Sequence, residues 1–241
     1  MSNPLPTRHE LLRAPQFPRS QAYDPAWIVQ HEMGPHALWL TEWLCEVMTL
    51  RPGMRVLDLA CGQALSSIFL AREFGVQVWA TDLWISATDN AERIRGAALQ
   101  DQVFPIHADA RHLPFADEFF DAILCIDAFE YFGTDASFLP SLIRYLKPGH
   151  QVGIVNAGVQ TELDELPGEW PPDFAAFHTP AWWRRHWTMS RTVQVERAEQ
   201  MPGGRALWMQ WNEAVGSENS YLTTEAGAHL GFHRVVARRT G

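Results

Sequence analysis

Four carboxylates stand at intervals that suit one bound nucleoside. Asp58 precedes the small-residue break Ala60-Cys61-Gly62, Asp82 lies 20 residues beyond Gly62, and Asp109 and Asp127 close two further apolar runs. A carboxylate at that distance from a glycine-bearing strand-to-helix turn meets the hydroxyl pair of a ribose, so Asp82 is the expected ribose ligand. Asp58, expected at the mouth of the first strand, would repel a pyrophosphate but suits an ammonium or a sulfonium. A dinucleotide fingerprint needs several glycines to bring backbone onto phosphates, and only Gly62 is present here. The chemistry that fits is the capture of a phosphate-free, positively charged nucleoside, which argues against a dehydrogenase.

The elements that would position these groups can be read from period and punctuation. Val56 to Ala60 is too short and too apolar for a surface helix and reads as a buried parallel strand. From Ala64 the apolar residues Leu65, Ile68, Phe69, Ala71 and Phe74 fall on one helical face, with Gly75 where a helix C-terminus favours it. Such a handover leaves backbone N–H groups facing a crevice. Further strands are expected over 77–82, 103–107, 120–126, 151–155, 192–197 and 232–237, with helices over 87–99, 136–146, 180–187 and 206–215. Asp24-Pro25 starts a short helix, and a second over 35–48 leads to the Pro52-Gly53 turn.

With these motifs in place, the chain from about Asp24 to Arg238 resembles the class I S-adenosylmethionine-dependent methyltransferases, in the small-molecule branch of ubiquinone/menaquinone-type and cyclopropane-synthase-type enzymes. DLACGQA occupies the place of that family's acidic, glycine-rich cofactor loop. The resemblance implies an α/β, Rossmann-like fold: a seven-stranded, mostly parallel sheet with helices on both faces, antiparallel last strands and an N-terminal helical lid. It also implies S-adenosyl-L-methionine as cofactor, held by Asp58, Ala60, Gly62, Ala64, Asp82, Leu83, Asp109, Ala110 and Asp127. Ala60 and Ala64 stand where glycines are usual; a methyl group is tolerated there if φ stays negative, at the cost of narrowing the approach to the ligand.

Methyl transfer asks a protein to align a nucleophile, exclude water and, for some acceptors, remove a proton. Asp127, Glu130, Tyr131 and His178 are the candidate catalytic groups, against plain alternatives: a strand-end acid, a helix-start acid, a core aromatic and a helix-start histidine. Tyr23 and His31 on the first helix, with Trp170 and Trp182, are candidate substrate contacts; tryptophans could box a methylated ammonium by cation–π attraction. The expected function is methyl transfer to an N, O, C or S atom of a small molecule. The alternatives are a cyclopropane-type or decarboxylating enzyme and a regulatory binder of the cofactor or its demethylated product.

The chain of 241 residues is long enough for one α/β domain, expected over 23–241, with a mobile arm at 1–22, a helical lid at 23–50 and an insertion over the site at 158–180. A net charge of −9 without a basic stripe opposes nucleic-acid binding. Cys45, Cys61 and Cys125 lie in apolar or strand-end settings, which fits reduced thiols and a cytoplasmic location. No ligand spacing for a metal, no leader-like segment and no membrane-spanning apolar run is evident, so no metal and no membrane partner are expected; a homodimer is left open.

Overall fold

A computed structural model describes residues 7–165, 167, 170–217 and 220–241. In chain order it contains α1 (Arg8–Leu11), α2 (Pro25–Gln30), α3 (Ala37–Cys45), β1 (Arg55–Leu59), α4 (Leu65–Phe74), β2 (Gln77–Asp82) and α5 (Ala87–Gly96). There follow β3 (Val103–His107), β4 (Phe120–Ile126), α6 (Glu130–Gly133), α7 (Phe138–Ile143), β5 (Leu146–Val159), α8 (Pro180–Met189), β6 (Val193–Gln200), α9 (Gly204–Val215) and β7 (Leu230–Arg239). The seven strands form one sheet in the order β3-β2-β1-β4-β5-β7-β6. The first five run parallel, and β7 pairs antiparallel with both β5 and β6. This is the Rossmann-like arrangement expected from the sequence.

Alternation along β1 sorts the core onto the two faces. Val56 joins the cluster under α3, α4 and α9, and Leu57 and Leu59 join the cluster under α7 and α8. Because the order reverses where β1 and β4 lie side by side, their C-terminal ends open the crevice where such sheets take ligands.

Three expectations are corrected. The arm before residue 23 is docked from α1 onward: Leu12, Ala14 and Phe17 are buried, Phe17 stacks on Trp39, and Gln210 Nε2 donates to the Leu11 carbonyl at 2.6 Å. Its prolines alternate with apolar side chains that pack, and a Thr7/Glu10 capping box holds α1; residues 1–6 lie outside the described residues. The helix expected over 136–146 shrinks to Phe138–Ile143. The fifth strand, expected to stop at 155, instead runs from Leu146 to Val159. Lys147-Pro148-Gly149 is not a strand-free turn but an irregularity, where the register slips between Phe120 and Ala122, and Asn156 to Val159 continue the ladder against β7.

Candidate active site

The turn from β1 to α4 has an unusual backbone. Ala60, Gly62 and Ala64 take φ of 56°, 55° and 63°, so every second residue of the turn is left-handed. The condition set by the sequence, negative φ at the two alanines, is not met: both occupy the conformation that favours glycine, at a cost on the order of 1 kcal/mol each. The turn is held by its neighbours, with Cys61 N donating to Thr81 O, Asn90 Nδ2 to Gly62 O and Gly62 N to Asp82 Oδ2. Ala64 gives α4 no side-chain cap and no acid sits in the first turn, so the helix start offers N–H groups beside the lining residues Leu65 and Ser66.

Asp82 works harder inside the protein than its spacing suggested. Oδ1 accepts from Trp84 N at 2.8 Å and Ile85 N at 2.9 Å, leaving Oδ2, with its single bond from Gly62, the spare acceptor capacity. Leu83 and Trp84 follow on the cavity wall, with Trp84 79% exposed. Across from them Ala108, Asp109 and Ala110 line the same wall, and Asp109 Oδ1 accepts from Arg111 N.

At the end of β4, Asp127 also takes a left-handed φ, 53°, while its N–H donates to Val155 O at 2.7 Å. Burial pushes its carboxyl up to about 7 against the opposing Ala157 N–H, and Oδ1 has no hydrogen-bond partner. Glu130 begins α6 and is 1% exposed; burial, then the charge of Asp127, drives its carboxyl well above the usual range. With its amide nitrogen turned toward Glu130, Asn156 donates to Oε2 at 2.9 Å and to Val155 O at 3.0 Å. Tyr131, half exposed, lines the cavity beside them, its hydroxyl raised to about 12 by burial and by the two acids.

These groups surround one cavity of 430 Å³. The link between α2 and α3 descends onto it: a Cβ on Gly34 would stand 2.7 Å from Asp127 Oδ2, and one on Gly62 would stand 2.9 Å from Met33 Sδ. His31 lines the same side, its Nδ1 2.8 Å from Trp27 O. The structure therefore brings together Ala60, Gly62, Asp82, Leu83, Asp109, Ala110, Asp127, Glu130, Tyr131 and His31 around one space.

Six sequence candidates lie elsewhere. Ala64 is fully buried and only shapes the turn. Asp58 is not at a mouth: it is fully buried beneath α4, where the Ser66 and Ser67 hydroxyls both donate to Oδ2 at 2.6 Å. Strand alternation puts it on the α4 face of the sheet, and its carboxyl is pushed to about 6 by burial, against those two hydroxyls. Tyr23 packs on Phe69 with its hydroxyl on Glu73. His178 stacks on Trp182 at 3.8 Å with Nδ1 toward Glu162, and Trp182 also stacks on His186, away from the cavity. Trp170 packs on Phe174 and Tyr221.

In their place the cavity is walled by Met33, Trp84, Phe174, Phe177 and Trp208. Trp84 was legible in principle, two residues beyond Asp82; Trp208 was not, since its helix is far away in sequence. The insertion does reach the cavity, through Phe174 and Phe177. Glu162 anchors its base by accepting from Thr179 N at 2.8 Å and Thr179 Oγ1 at 2.6 Å.

The cavity suits the implied cofactor. An uncapped helix start matches a carboxylate, Asp82 Oδ2 a hydroxyl, and the orphaned Asp127 Oδ1 a donor or cation. Among the described residues no group of three or more His, Cys, Asp or Glu is placed to hold a metal ion, and no helix is long and apolar enough to cross a membrane.

Comparison with known proteins agrees with this geometry. Residues 56–149 match the model of a methyltransferase domain. The chain is 32% identical over 128 residues to the methyltransferase GfsG of Streptomyces halstedii, covering 53% of this chain and 46% of that protein, so the match spans under half of that relative. It is 28% identical over 216 residues to the demethylmenaquinone methyltransferase of Listeria monocytogenes, covering 83% and 86%. Among solved structures it is similar to the [4+2]-cyclase SpnF, with a TM-score of 0.70 and 19% identity over 87% of this chain and 84% of that one. A methyltransferase from Thiobacillus denitrificans, solved with S-adenosyl-L-homocysteine, gives 0.67 and 18% over 90% and 99%.

Proposed function

We infer that this chain, whose residues 56–149 match the model of a methyltransferase domain, transfers a methyl group from S-adenosylmethionine to a small-molecule acceptor. The observation that carries the reading is the single cavity where the left-handed β1–α4 turn, the ribose-spaced Asp82 and the Asp127–Glu130 pair meet. When bound there, the cofactor supplies a methyl group activated by its sulfonium. The α4 start would take its carboxylate, Asp82 Oδ2 a ribose hydroxyl, and Ala108 to Ala110 with Leu83 and Trp84 the base. Asp127, Glu130 and Tyr131 would face the acceptor, where aligning the nucleophile and accepting its proton are the protein's tasks. Met33, Phe174, Phe177 and Trp208 would exclude water. The three cysteines are buried and unpaired, which supports a reducing, cytoplasmic setting.

The test is transfer of a labelled methyl group from cofactor into a metabolite library, with identification of the labelled product. A second reading draws on the left-handed alanines: a narrowed turn that binds the cofactor or its demethylated product for regulation. Cofactor binding without any labelled product from the library would favour that reading over catalysis.

A further inference from the structure

The cofactor half of the cavity uses the ends of β3, β2 and β1, with Asp109, Asp82 and the Gly62 turn. The other half faces β4 and β5, and there the buried carboxyl of Glu130 stands beside the part-buried carboxyl of Asp127. Glu130 is 1% exposed and, beyond its own backbone N–H, accepts among the described residues from Asn156. Asp127 keeps an oxygen, Oδ1, with no hydrogen-bond partner. Asn156 sits on β5, so Glu130 is anchored two strands from β1, about 10 Å across the sheet from the Gly62 turn.

Among the described residues no basic side chain pairs with these two acids. The cavity's two nitrogen bases are engaged elsewhere, Arg111 beside Asp109 at 3.8 Å and His31 on the Trp27 carbonyl. An unpaired buried acid is costly unless something neutralises it, so the pair is complementary to a cation that arrives with the substrate. An anionic substrate would meet repulsion from the pair. The rest of this half is apolar and aromatic, with Phe132, Phe174, Phe177 and Trp208 on its walls.

We propose that the methyl acceptor is an amine on an aromatic or otherwise apolar body, its ammonium held by Asp127 and Glu130 and its body by the aromatic walls. This rests on the methyltransferase reading and names its substrate class. The bound ammonium gives one proton to a carboxylate of the pair, and the freed nitrogen lone pair forms the N–C bond. The C–S bond breaks with its electrons leaving on sulfur, so the methylated amine departs as a cation and the carboxyl returns its proton to water. Asn156 is a positioning residue in this scheme, because its amide fixes Glu130 Oε2.

Calorimetry with three probes of one shape tests the proposal: 2-phenylethylamine, 2-phenylethanol and phenylacetate, each titrated into the full chain with and without S-adenosylhomocysteine. The amine should bind at least about tenfold more tightly than the alcohol, with phenylacetate weaker still. The isosteric Glu130→Gln and Asp127→Asn should each weaken the amine about tenfold or more and leave the alcohol unchanged; Glu130→Gln should also leave S-adenosylhomocysteine affinity unchanged. Equal binding of amine and alcohol, no amine binding, or an amine affinity indifferent to Glu130→Gln would overturn it. If either variant fails to fold, the comparison of the three probes on the unaltered chain decides. A chain that discriminates the amine but does not bind S-adenosylhomocysteine would count against the methyltransferase reading and not against the amine site.

Discussion

Gly62 donates its backbone N–H to Asp82 Oδ2 across 2.8 Å, so the acid at the end of β2 fixes the turn at the end of β1. The same carboxylate holds the N–H groups of Trp84 and Ile85. Asp82→Ala would remove a ribose partner and release three backbone donors together. It should weaken S-adenosylhomocysteine binding by roughly 1–3 kcal/mol in calorimetry, with a lowered melting temperature because the released donors lose their acceptor. An unchanged dissociation constant would contradict the ribose assignment.

Ala60 and Ala64 are left-handed at φ 56° and 63°, with Gly62 between them. Glycine removes the steric cost at each site but adds freedom to the unfolded chain, so the gains partly cancel. Ala60→Gly and Ala64→Gly should each stabilise the fold by about 0.5–1 kcal/mol in urea titrations. Valine at either position should destabilise it by more than that, since branching at Cβ worsens the left-handed clash.

Asp58 gives the stability a pH dependence with a definite sign. Its carboxyl titrates near 6 in the folded chain, raised by burial against the Ser66 and Ser67 bonds, and near the ordinary 3.8 when unfolded. Between those values the folded chain holds the extra proton, so the contribution of Asp58 to stability falls as pH rises from about 4 to about 6 and is level above that. The difference amounts to roughly 3 kcal/mol. Asp58→Asn keeps an acceptor for both hydroxyls and cannot ionise. Its unfolding free energy should decline less than that of the parent over this range, and parallel slopes would refute the account.

Gly34 lies where the α2–α3 link meets Asp127, and a Cβ there would stand 2.7 Å from Asp127 Oδ2. Gly34→Ala must push the link or the carboxylate aside. Its melting temperature should stay within a few degrees of the parent while methyl transfer falls about tenfold or more, since small misplacements near the reacting atoms are expensive in rate. Unaltered turnover would mean that the α2–α3 link does not position Asp127.

The cavity wall around Gly62 and Asp82 was legible because short-range rules govern it: a buried strand, a small-residue break, an amphipathic helix and an acid at a fixed interval all fall within one stretch of chain. The limits of that reading follow from packing. Asp58 shares the motif, yet strand alternation turns it away from the crevice toward Ser66 and Ser67. Trp170 and Trp182 lie near Phe174 and Phe177 in sequence, but only the phenylalanines reach the cavity. Trp208 enters it from α9, and no local signal marks which face of that helix would do so. The arm read as mobile because prolines and charge dominate its composition, while three buried apolar side chains and the Gln210 bond dock it.

Glu162 and Thr179 meet at the base of the stretch that carries Phe174 and Phe177. Both ends of that stretch are thus pinned to one another at the start of α8, independently of what lies between them. A graft bounded by those two positions would change the wall carrying Phe174 and Phe177 while leaving the turn of Gly62 and Asp82 untouched. Evolution could retune this chain the same way, exchanging one tethered segment without rebuilding the sheet beneath it.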